Sequence, residues 1–135
     1  MNVSEAFAAI ALAAVACDGK LGRDETHALR LQLEYRSLYA GLSEAQMGDL
    51  FDNLLKLLRS GGVEGLISAA LPVLSLPQQE SALAVAAHLV HADREVTPEE
   101  SALLDKLSVD MSLPDSDAQM VIRSIAALNR TSLDT

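Results

Sequence analysis

The chain has 135 residues, half of them apolar and 21% charged, enough to bury one domain's core and too apolar for a disordered tail. Ten basic against 19 acidic residues leave a net charge of −9, which argues against nucleic-acid binding and against docking on an anionic membrane, since both need clustered Lys and Arg. One Cys excludes an internal disulfide and fits a reducing, cytoplasmic setting, while two Tyr, two Phe and no Trp disfavour a site of stacked rings.

The first element is an Ala-rich apolar helix, Ala6 to Cys17. Its twelve uncharged residues fall short of the roughly 20 a spanning helix needs. Glu5 stands where a secretion signal carries positive charge, so neither membrane insertion nor export is expected. A second helix is expected from Arg23 to about Ala40, opened by Gly22 with Glu25 at its third position. A third runs from Glu44 to Leu58, capped by Ser43 and carrying Met47, Leu50, Phe51, Leu54, Leu55 and Leu58 as an apolar stripe. Gly61-Gly62 should end it. Val63 to Leu74 reads as a short apolar helix, broken near Pro72 and ended by Ser75-Leu76-Pro77.

The second half begins with another Ala-rich helix, Ser81 to Ala92. Thr97, Pro98 and Glu100 form an N-cap, a first-turn proline and a capping box for a helix reaching about Met111. A last helix starts at Asp115 or Ser116 and reaches about Asn129, with Met120, Val121, Ile125 and Leu128 at helical spacing. No segment sustains a two-residue alternation, so no strand is expected. The reading is one all-α domain over 1–135 with about seven helices.

The halves repeat. Ala6–Glu25 aligns with Ser81–Glu100 at a constant offset of 75. Asp18 matches Asp93, the aliphatic Leu21 matches Val96, and Glu25 matches Glu100. Two three-helix repeats, about 2–58 and 77–129, are therefore expected to pack as a pseudo-twofold bundle joined by the short helix. The Ala-rich helices belong at its centre, because small side chains let helix axes approach closely. Leu21 and Val96 should anchor the two loops in the core.

Each Asp–Glu unit is a candidate ion site. Asp18-Gly19-Lys20-Leu21-Gly22-Arg23-Asp24-Glu25 matches the second half of an EF-hand calcium loop. Glycine allows the sharp turn, the aliphatic residue anchors the loop, and a carboxylate at each end can face one ion. The two earlier ligand positions are Ala14 and Ala16, and the second unit has Leu89, His91 and, in place of glycine, Arg94. The bland readings are that Asp18 and Asp93 are turn residues and that Glu25 and Glu100 only cap helices. His88 and His91 lie three apart, a spacing that can ligate a transition metal or mark a solvated face. Their counterparts Ala13 and Ala16 lend the metal no support. Cys17 beside Asp18 is a poor nucleophile, because a neighbouring carboxylate raises a thiol pKa.

Paired units of this kind, each after an apolar helix and before a capped one, resemble the TerB-like tellurite-resistance family over Ala6–Leu33 and Ser81–Leu107. The resemblance implies an all-helical, duplicated fold and a part in bacterial responses to tellurite and other stress. It also implies an acidic surface that takes a divalent cation, with Asp18, Glu25, Asp93 and Glu100 as the metal residues. No Gly-rich phosphate loop, Gly-x-Ser-x-Gly elbow or metalloprotease His motif occurs, so no enzyme is expected. The alternative is an acidic scaffold that meets a partner protein without any metal, for which Asp93 to Asp117, with eight acids and two bases, is the densest stretch. A metal-dependent hydrolase using the same carboxylates is a weaker third reading.

Overall fold

A computed structural model of the chain describes residues 1–19, 21–91 and 96–130. Among these residues six α-helices follow one another: α1 (Val3–Ala16), α2 (Arg23–Glu34), α3 (Glu44–Ala70), α4 (Leu76–His91), α5 (Pro98–Asp110) and α6 (Asp115–Asn129). A single 3-10 turn, Leu71–Val73, joins α3 to α4. Among the described residues there is no strand.

Most helix starts follow from capping chemistry. Thr97 and Ser43 open α5 and α3 through reciprocal capping boxes with Glu100 and Gln46. Two boxes lie outside the sequence expectation. Asn2 Oδ1 accepts from Glu5 N at 2.8 Å, which starts α1 before its apolar run. Ser75 Oγ accepts from Gln78 N at 3.3 Å while Gln78 Oε1 accepts from Ser75 N at 2.8 Å. Ser75-Leu76-Pro77 therefore begins α4 rather than merely breaking the helix before it, with Pro77 tolerated in the first turn.

The count is six rather than about seven because α3 is taken as one element across a kink. At Gly62, with φ 69° and ψ −172°, the backbone leaves helical geometry, so two helices meet there and the expected end at Gly61-Gly62 is seen. The expected short fourth helix is the second limb of α3. In the other direction, α2 stops at Glu34 instead of continuing to about Ala40. Three successive turns follow, closed by Arg36 N to Leu33 O, Tyr39 N to Arg36 O and Leu42 N to Tyr39 O. They let Tyr39 turn inward, where its hydroxyl donates to Ser4 O at 2.7 Å. Burial of that phenol pushes its pKa up.

Helix α1 is the axis of the core. Nine consecutive residues, Ala6 to Ala14, are buried, so every face is covered. It packs on α3 and α4 above all, and also touches α2 and α5. Helix α4 lies between α1 and α6, with Ala82, Ala86 and Ala87 among its buried positions. In each half the first helix thus packs chiefly on the third, and the two Ala-rich helices pack on each other. The amide of buried Gln79 ties the second half together. Its Nε2 donates to Leu74 O at 3.2 Å, and its Oε1 accepts from Ser112 N at 2.9 Å.

Candidate functional site

The first Asp–Glu unit begins where α1 ends. Gly19 has φ +77° and donates its N–H to Ala16 O at 3.0 Å, which closes the helix and turns the chain sharply. Asp18, just before it, is half-buried. Seven residues on, Glu25 is exposed, and its Oε2 accepts from Gly22 N at 3.1 Å. Leu21 is half-buried and packs on the core, as an anchor should. Its counterpart Val96 is 38% exposed, so only one of the two expected anchors reaches inward.

In the second unit Asp93 and Arg94 lie outside the described residues. Glu100 is the more unusual acid, only 7% exposed. Its Oε1 accepts from Thr97 N at 3.0 Å, and its backbone N–H donates to Thr97 Oγ1 at 3.1 Å. A buried carboxylate needs such compensation. The free N–H groups and positive dipole end of α5 supply more of it.

Cys17 shows how the two units relate. The thiol donates to Ala14 O at 3.4 Å. Its pKa is pushed up from 9.0 to about 11, first by burial, then by the negative charges of Glu100, Asp18 and Glu99. Asp18 comes from the end of α1, and Glu99 and Glu100 from the first turn of α5, which packs against α1. Carboxylates of both units therefore act on one atom. The sequence reading names Asp18 and Glu100 but not Glu99, although its place in the first turn of a capped helix made it legible. Glu25 and Glu100 perform the capping that their positions in the sequence imply.

All these groups are carboxylates, the donors that hard cations such as Ca²⁺, Mg²⁺ and Mn²⁺ prefer. Among the described residues, no three His, Cys, Asp or Glu side chains are arranged to hold a metal ion. Asp18, Glu25 and Glu100 are not brought together as a three-ligand set, and Asp93 stands outside the comparison. His88 has a structural partner instead, for Asn129 Nδ2 lies 3.3 Å from its Nδ1 and links α4 to the end of α6. His91 is half-buried at the end of α4.

Two open grooves mark the described surface away from this acidic end. One, of about 360 Å³, lies where Phe7, Leu38 and Pro77 meet, and the Arg36 guanidinium sits 5.1 Å above the Phe7 ring beside it. The other, of about 340 Å³, runs between α4 and α6. Neither is lined by Asp18, Glu25 or Glu100. No helix among the described residues is long and apolar enough to cross a membrane. Compared with protein-family models, with curated proteins and with solved structures, the chain matches none.

Proposed function

We propose that this chain is a duplicated, TerB-like binding module of a bacterial tellurite or stress response, with no catalysis of its own, which takes a divalent cation at its acidic end. The observation that supports this reading is the convergence on Cys17 of negative charge from both Asp–Glu units. Asp18 and Glu100, one carboxylate from each unit, would face the cation at the α1–α5 end, with water completing its shell. Glu25 and Asp93 are the corresponding acids of the other two positions. Carboxylates gathered in one region repel each other, and a divalent cation relieves that repulsion while gaining oxygen ligands. A second reading has the same acids meeting a basic protein with no metal. It is favoured by the lack of a three-ligand group among the described residues.

The cysteine supplies the test. A thiol pKa of about 11 in place of 9.0 leaves about a hundredfold less thiolate at neutral pH. Iodoacetamide should therefore modify Cys17 about a hundredfold more slowly than free cysteine. A bound cation cancels the field of the carboxylates, so millimolar Ca²⁺, Mg²⁺ or Mn²⁺ should speed the reaction. It should also raise the melting midpoint by roughly 10 °C at a hundred times the dissociation constant, equivalent to about 2.7 kcal/mol. Asp18→Asn and Glu100→Gln should speed alkylation without metal and blunt the response to it, whereas Asp52→Asn on α3 should do neither. If NaCl at matched ionic strength reproduces the whole effect, the cation reading fails and the metal-free reading replaces it.

A further inference from the structure

The outer face of α6 carries large apolar groups among polar ones, and no element among the described residues covers it. Its exposed large apolar residues are Met120 and Leu128, while Val121 and Ile125 lie half-buried against the core. Met120 is 58% exposed and Leu128 71% exposed. Only Ala118 of the whole helix is fully buried. Helix α4 supplies the facing wall through Glu80, Ser81 and Ala84. Between the walls runs the open groove of about 340 Å³, with Ala84, Val121 and Ile125 toward its base. Acids stand on both sides, Glu80 on α4 and Asp117 on α6.

We propose that this groove docks an amphipathic helix of a partner protein, one whose apolar stripe is flanked by Lys and Arg. The apolar lining calls for anchors at i, i+3, i+4 and i+7, the pattern of a helix laid in a groove. The acids on opposite walls call for cations on either side of those anchors. Charge also decides among other occupants. A second copy would bring its own Glu80 and Asp117 against these and add a further −9 of net charge, and an anionic bilayer would be repelled in the same way. A small molecule is a poorer fit, because the groove is open along its side and sits at the low end of the volumes that enclosed ligands use. Met120 suits a helix partner, since its flexible thioether repacks around different apolar side chains.

The test uses fluorescent peptides of about 18 residues, five helical turns. One is built from Leu and Lys with Leu at helical spacing, and its twin carries Glu for every Lys. The full chain should bind the Lys peptide, with the Glu peptide at least about tenfold weaker, and the binding should weaken as salt rises. Met120→Gln with Leu128→Gln should lower affinity about tenfold or more. Glu80→Gln with Asp117→Asn should flatten the salt dependence. The four substituted positions, Glu80, Asp117, Met120 and Leu128, are exposed, so the fold is retained, which an unchanged melting midpoint confirms. Tyr35→Gln just past the end of α2, exposed at 85%, should leave binding intact. Asp18→Asn should do so as well, which keeps the outcome separate from that of the cation site. Equal binding by the groove variants would reduce the interaction to general attraction by an acidic protein and overturn the proposal. So would a preference for the Glu peptide, or a dimer of the chain that Met120→Gln abolishes.

Discussion

Helices α1 and α6 are similar in length, 14 and 15 residues, and opposite in fate. Half of the first is alanine, and it is covered on every side over Ala6–Ala14. The second carries larger apolar groups, Met120, Val121, Ile122, Ile125 and Leu128, and buries only Ala118 completely. Polarity and side-chain size both separate them: α1 has one charged residue, Glu5, whereas α6 carries Asp115, Asp117 and Arg123. Small residues let neighbours approach from all directions, so an apolar helix rich in alanine can occupy the centre of a bundle. A helix with a bulky stripe needs only one wall, and what lies beyond that wall is left for something else.

That contrast can be broken by substitution. The largest effect is expected for Leu12→Ala in α1, where a side chain with no exposure is removed. It should cost about 2–5 kcal/mol by chemical denaturation. Gln79→Ala should follow at about 2–4 kcal/mol, because Ser112 N and Leu74 O lose their partner inside the protein. Enlarging the axis with Ala9→Leu should cost about 1–3 kcal/mol through overpacking. Tyr39→Phe should cost about 1 kcal/mol below pH 9. It should also remove an alkaline loss of stability. The folded phenol has a pKa raised above the 10.0 of the unfolded chain, so the native state keeps its proton longer. The resulting stabilisation is complete below pH 10 and fades as pH rises beyond it. The smallest effect belongs to α6, where Met120→Gln should stay within about 0.5 kcal/mol. A loss above about 2 kcal/mol there would show that the exposed stripe supports the fold after all.

How far this was legible in the residues depended on how local the causes were. The bounds of α6 and the Thr97–Pro98–Glu100 start of α5 could be read directly, because periodicity and capping act within one turn. The box at Ser75 uses the same chemistry but is masked by Pro77, which reads as a terminator although the first turn accepts it. The early end of α2 was hidden because Leu38 and Tyr39 continue its apolar pattern, and what turns Tyr39 inward is Ser4, 35 positions away. The acidic end divided in the same manner. The capping roles of Glu25 and Glu100 were evident from spacing. The convergence of Asp18, Glu99 and Glu100 on Cys17 depends on how α1 meets α5, and no local pattern records that. Nor could Val96 be told from Leu21, since the two are equivalent by alignment and differ only in how their loops meet the core.

The environment of Cys17 has a consequence for redox chemistry. Peroxide attack begins from the thiolate, and the first product, a sulfenic acid, leads on to disulfides or to irreversible acids. Burial and three neighbouring carboxylates keep this sulfur protonated at neutral pH. The chain's one cysteine is thereby held off the oxidation ladder, and two copies meeting in an oxidising cell would be slow to become covalently joined.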